Sequence, residues 1–266
     1  DTMLRKLFMH RFSRGEGLEG HNLGNLLLVA MTELVGDEEA AILEIARILR
    51  IRGRVLPVTR DHVDLVATYS DGSTIVGETD IDEPPRGHDG TLRITELKLT
   101  PEPALSPRVA TELRRADLIV LGPGDLYTSV LANIVVPGMS DVLSASEASY
   151  VYVMNLMTKH GQTTGMGAAD HVREITRYIG RAPDAVIINS TPLPDAIVAE
   201  YAKSGEEPVV DDLDELQMHI VRTDLLARER VVSTQGDMLK RSLIRHDPEK
   251  LVQAIMTATD RPLIES

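Results

Sequence analysis

The residues best placed to do chemistry lie in Asp117-Leu-Ile-Val-Leu-Gly-Pro-Gly-Asp-Leu-Tyr-Thr-Ser129. An apolar strand runs into Gly122-Pro123-Gly124, where glycine permits positive φ and lets a ligand approach the backbone. Asp125, Tyr127, Thr128 and Ser129 then open a helix, whose first N–H groups lack intrahelical acceptors and favour an anion. This arrangement suits the phosphates of a nucleotide-type ligand, although it matches neither the dinucleotide fingerprint nor the Walker loop. The alternative is a tight strand-to-helix turn in which Asp125 or Thr128 is an ordinary helix cap.

Two further segments carry convergent polar groups. Asn155-Leu-Met-Thr-Lys-His-Gly-Gln-Thr-Thr-Gly165 follows the apolar run Tyr150–Met154, and Asn189-Ser-Thr-Pro192 follows Ala185–Asn189. Both leave the carboxyl ends of expected sheet strands, where ligands of open α/β sheets bind. Asn155 can read a base or sugar hydroxyl there, with Thr158, Gln162 and Thr163 adding polar contacts. Arg11–Asn25 brings Arg11, Arg14, His21, Asn22 and Asn25 to a glycine-rich helix entrance; its alternative is a surface loop capped by Asn22. Arg245-His246-Asp247 precedes a helix that Asp247 should cap, with Arg245 and Tyr201 able to reach a ligand from the rim.

Other chemistries find little support. The chain has no Cys, which removes thiolate metal sites and a cysteine nucleophile. Its eight His include Asp61-His62 and Asp170-His171, but none has the HExxH spacing that sets two ligands on one helix face, so no metal site is expected. There is no GxSxG elbow. A net charge of −13 argues against nucleic acid and anionic membrane surfaces as partners. No stretch approaches the roughly 20 apolar residues that span a bilayer, and a cysteine-free chain fits the cytoplasm.

The elements that must position these residues follow from periodicity. Leu4–His10 reads as the end of a helix, and Asn22–Leu34 as a helix apolar on nearly all sides, which implies deep burial. Asp37 should cap Glu38–Arg50. Short alternating runs at Val55–Thr59, Val63–Tyr69, Ser73–Thr79 and Leu92–Leu99 suggest an antiparallel β subregion over about 55–100. Asp80–Gly90, acidic and rich in Pro and Gly, reads as a hairpin tip or crossover. Beyond it, Val- and Ile-rich strands alternate with helices to Pro248–Thr259. The expected fold is therefore one α/β domain, Rossmann-like, with a mostly parallel sheet covered by helices on both faces.

Four motifs in one order resemble the bacterial gluconeogenesis factor family, related to the 2-phospho-L-lactate transferases of deazaflavin cofactor synthesis. They are Phe12–Asn25, Leu121–Ser129 with Asn133 and Pro137-Gly138, Asn155–Thr158, and Arg245–Lys250. The resemblance implies a nucleotide-sugar site that takes a UDP-sugar such as UDP-N-acetylglucosamine. It also implies a role in cell shape and wall synthesis during gluconeogenic growth. Carried over, the contacts are Gly122, Gly124, Asp125, Tyr127, Thr128, Ser129 and Asn133, with Asn25, Tyr201 and Arg245 beside them. Partners would include cell-wall synthesis proteins; separately, the apolar helix Asn22–Leu34 and the antiparallel region could each supply a contact face for a second copy of the chain. The transferase alternative would add Mg²⁺ and a nucleotide-linked donor of a phosphorylated group. The family's usual opening strand, Gly-Gly-Gly-Thr-Gly turn and Asp-Asp-Gly-Gly segment are not in this sequence, so the opposite wall of the crevice is expected upstream of Asp1.

Overall fold

A computed structural model describes residues 2–227 and 243–259. The described residues divide into two compact units, one built on 2–57 and the other on 58–227 with 244–259.

The first unit is helical. Helix α1 (Thr2–Phe8) leads to a loop closed by Phe12 N–H on His21 O (3.0 Å) and Gly20 N–H on Phe12 O (2.9 Å). Helix α2 (Leu23–Val35) starts at Asn22, whose side chain accepts from Asn25 N–H, and stops at Gly36 in the left-handed region. Helix α3 (Glu38–Ile48) starts as expected at Asp37, whose carboxylate accepts from Ala40 N–H at 2.8 Å. The deep burial expected of α2 is not observed: none of its residues is fully buried, and Leu34 is 82% exposed. Its described neighbours in this unit are α1 and α3, and two short helices cannot enclose a third whose apolar residues face every direction.

The second unit holds both sheets. Strands β1 (Asp64–Tyr69), β2 (Thr74–Val76) and β3 (Ile94–Thr100) form an antiparallel sheet of order β2-β1-β3. Val55–Thr59, expected as a strand, is not one. Nor is 80–90 a plain loop, because α4 (Glu78–Asp82) forms there around the fully buried Ile81.

Helix α5 (Pro107–Arg115) then leads into β4 (Leu118–Leu121). A wide helical turn, Leu126–Leu131, passes directly into α6 (Ala132–Ile134), and α7 (Met139–Ser144) follows. The parallel sheet continues through β5 (Ser149–Val153), α8 (Ala168–Ile179), β6 (Ala185–Asn189), α9 (Asp195–Ala202) and β7 (His219–Thr223), in the order β4-β5-β6-β7. Helix α10 (Pro248–Ala258) closes the chain, and Asp247 caps it by accepting from Glu249 and Lys250 N–H. Side chains alternate across a strand, so Val151, Val153, Ala185 and Ile187 share one face, where Leu251, Ala254 and Ile255 of α10 cover them. Tyr150, Tyr152 and Val186 occupy the other face and are equally buried. Burial on both faces explains why β5 and β6 read as unbroken apolar runs.

Candidate functional site

The site begins where β4 ends. Gly122 has φ +76°, and a Cβ added to it would lie 2.9 Å from Val153 O of the neighbouring strand. Only glycine meets both demands, so the turn is set by close backbone approach as well as by its dihedral. The Gly122–Pro123 peptide is cis. One residue on, Gly124 N–H donates to Asn155 Oδ1 at 3.3 Å, which ties the turn to the end of β5. The helical turn is wound so that Ser129 and Val130 N–H both donate to Asp125 O, at 2.9 and 3.0 Å.

The Asp125 side chain makes no capping hydrogen bond. Its carboxyl turns inward, towards a cluster made by Lys159 after β5, Asp82 from α4 and Glu206 after α9. Burial pushes the Asp125 carboxyl above the usual carboxylate range; Lys159 pulls it down, and Asp82, within hydrogen-bonding reach, and Glu206 raise it further. Lys159 Nζ lies 3.1 Å from Asp82 Oδ2, and Gln162 Nε2 donates to Asp82 Oδ1 at 3.1 Å. Burial works against the ammonium, but Asp82 and Asp125 outweigh it and hold the Lys159 pKa above its ordinary value. With the Asp125 carboxyl turned away, the first-turn amides are not claimed by the one acid in the glycine turn.

The loops at the other strand ends interlock with this turn. Thr158 N–H donates to Glu207 O (2.7 Å), and Thr158 Oγ1 accepts from Glu207 N–H (2.9 Å). Leu225 N–H donates to Asn189 Oδ1 at 3.0 Å, and Asp247 N–H donates to Leu225 O at 2.7 Å. His246 hydrogen-bonds the backbone of Met154. A continuous network therefore runs across the carboxyl edge of the sheet, where open α/β sheets bind ligands.

The sequence candidates fall into different situations within this frame. Gly124, Ser129, Asn133 and Asn155 keep accessible surface around the turn, and Asn133 Nδ2 donates to Ser129 O at 2.7 Å. Thr128 is buried with its hydroxyl 3.5 Å from Gln162. Tyr127 is buried too, and its hydroxyl donates to Glu174 of α8 at 3.2 Å. Those two side chains therefore fix the turn from behind. Tyr201 is buried near the end of α9, while Arg245 is exposed and its carbonyl accepts from Ala227 N–H. Asn25 belongs to the first unit, on the opening turn of α2. Thr158, Gln162 and Thr163, expected as ligand contacts, are buried and bonded within the protein. Sequence reasoning did not single out Asp82, Lys159 or Glu206; the only signals were the place of Lys159 in the Asn155–Gly165 motif and of Asp82 in the acidic run Asp80–Gly90.

A four-stranded parallel sheet with helices between its strands, a glycine turn and an interlocked polar rim at its strand ends, and a separate antiparallel sheet define a mixed α/β protein. Comparison with known proteins places it more closely. The family described as 2-phospho-L-lactate transferase CofD matches residues 1–226, and the chain belongs to that family. It is 36% identical to the gluconeogenesis factor of Bacillus subtilis, over 96% of this chain and 77% of that protein. It is 38% identical to the gluconeogenesis factor of Halalkalibacterium halodurans, over 98% of this chain and 77% of that one. A crystal structure of a UPF0052 family protein from Bacillus halodurans superposes with a TM-score of 0.83 at 34% identity, covering 96% of this chain and 78% of its own.

Proposed function

We propose that this chain is a cytoplasmic gluconeogenesis factor that binds a UDP-sugar of the UDP-N-acetylglucosamine type. In this reading it regulates cell shape and wall synthesis during growth on gluconeogenic carbon. The observation that carries the ligand is the turn from Gly122 to Asn133, where Asp125 is withdrawn from the helix start. A diphosphate would sit against the first-turn amides, and Asn155, Ser129 and Asn133 would surround it. The physiological role rests on relatives named gluconeogenesis factors that match nearly all of this chain and 77% of their own length.

The family's description favours a second reading, transfer of a phosphorylated group from a nucleotide-linked donor. That chemistry would place Mg²⁺ among carboxylates beside the transferring phosphate. Asp125 lies in the turn and Asp82 faces it, but the Lys159 ammonium already sits with them, 3.1 Å from Asp82. Among the described residues no three His, Asp or Glu side chains are grouped to hold a metal ion. Lys159 therefore already supplies the positive charge that a metal ion would bring to Asp82.

Calorimetric titration with UDP-N-acetylglucosamine tests the first reading. Saturable heat that weakens in Ser129→Ala and Asn133→Ala supports it. No heat with any UDP-sugar, together with turnover of a guanine-nucleotide-linked donor, would replace it with the transferase reading.

A further inference from the structure

We propose that Lys159 is a positioning residue for the ligand site, a built-in cation that occupies the acidic cluster and makes binding of the nucleotide phosphates independent of a divalent metal. The inference rests on the UDP-sugar reading and concerns how that site holds its charge.

The argument starts from direction. An Asp immediately before a helix normally accepts from the N–H groups of the first turn. Asp125 makes no such bond. If it did, its carboxylate would occupy the amides that a phosphate needs, and would repel the phosphate as well. Something must compensate for turning this acid into a buried position. The groups facing it are Lys159, Asp82 from α4, and Glu206 from the loop after α9. Lys159 is the cation among them, and its side chain is only 18% exposed.

The ammonium is itself held firmly. Asp82 bonds it through one oxygen and accepts from Gln162 through the other, while the Lys159 N–H donates to Thr163 Oγ1 at 2.7 Å. Gln162 in turn lies 3.5 Å from the Thr128 hydroxyl inside the helical turn. The chain of contacts therefore runs from α4 through Asp82 and Lys159 to both sides of the helix start. Removing the cation would have two consequences. Asp125 would be free to swing back as a cap, and Asp82 and Asp125 would lose their shared cation behind the phosphates.

Both consequences have a pH signature. Without the ammonium, the carboxylates take up protons more readily, and acid conditions neutralise them. A site that was merely misshapen would not recover on acidification.

The test is titration of the whole chain with UDP-N-acetylglucosamine, with MgCl₂ and then with EDTA, for wild type, Lys159→Met and Lys159→Arg. The expected results are equal wild-type affinity in both buffers and a loss of about tenfold or more in Lys159→Met at pH 8, the size expected for a charge-assisted contact. That loss should narrow at pH 6, and Lys159→Arg should restore most of the affinity. Wild-type binding that EDTA abolishes would overturn the inference while leaving the UDP-sugar reading in place, and needs no variant to observe. Unchanged affinity in Lys159→Met, or a loss that neither acid nor Arg repairs, would also overturn it. Failure of the wild type to bind any UDP-sugar would instead remove the reading on which it rests.

Discussion

Replacing Gly122 with alanine should be far more damaging than replacing Gly165, although both glycines have positive φ in the same unit. Gly122 has φ +76° and Gly165 φ +67°, so an L-residue pays the same left-handed cost at each, about 1–2 kcal/mol. The surroundings differ. An alanine Cβ at Gly165 meets nothing within 4 Å, whereas at Gly122 it lies 2.9 Å from Val153 O. A backbone carbonyl inside a parallel sheet cannot rotate away, so β4 and β5 must separate locally. Overpacking of that kind adds about 1–3 kcal/mol.

For a unit of this size, 1 kcal/mol moves the melting temperature by roughly 2–4 °C. Gly165→Ala should therefore melt about 2–8 °C below wild type, with Gly122→Ala lower still by a further 2–12 °C or so on the same scaling. Differential scanning calorimetry of the three proteins reads this directly. The paired glycine cancels the dihedral term, leaving the approach to Val153. Equal losses in the two variants would refute the argument that close backbone contact, and not φ alone, dictates glycine at the head of the turn.

The remaining expectations concern stability away from the turn. His171 is buried, with Nδ1 2.9 Å from Gly167 O and Nε2 without a hydrogen-bond partner; burial lowers its pKa, while Asp170 and Asp212 pull upward and Arg93 downward. The unfolded chain then binds the proton more readily, so this stability is complete above the unfolded value of about 6.5 and is lost as pH falls below it. Urea midpoints between pH 7.5 and 5.5 should fall in wild type and fall less steeply in His171→Gln. A residual slope is expected from His246, whose pKa burial also lowers. Arg181 donates to Ser146 O (2.6 Å), Ala148 O (3.2 Å) and Asp184 (2.8 Å), joining the end of α7 to the start of β5. Arg181→Met should cost about 1–3 kcal/mol in urea denaturation, because it strips the donor from two carbonyls.

What the sequence made legible is what depends on local pattern. Runs such as Tyr150–Met154 and Ala185–Asn189 announce strands buried on both faces, and the two-glycine turn announces where β4 stops. The apolar surface of α2 was equally plain, yet burial belongs to the neighbours as much as to the helix. Helix α4 was invisible for a different reason. Five residues with one apolar anchor, Ile81, generate no period, and the surrounding Pro and Gly dominate the composition. Asp82 was lost with it, because its meaning comes from Lys159, 77 residues away.

The polar residues at the strand ends show a more general limit. Thr158, Gln162, Thr163 and Asn155 have the types a ligand site needs, and from type alone all four read as contacts. A sheet edge that gathers loops must first satisfy its own backbone groups, since buried donors and acceptors left unpaired are costly. Thr158 and Thr163 are consumed in that way, and Gln162 bonds Asp82. Asn155 serves both ends, holding Gly124 N–H while keeping part of its surface accessible. Asp125 makes the point most sharply. From the sequence it is either a cap or a ligand contact, and in the structure its carboxyl performs no capping and points into the acidic cluster instead. A carboxylate that neither caps nor reaches outward leaves the helix start open to another anion. Under the UDP-sugar proposal, the direction of that one side chain matters more than the glycines, because it decides whether the first-turn amides are free to meet a phosphate.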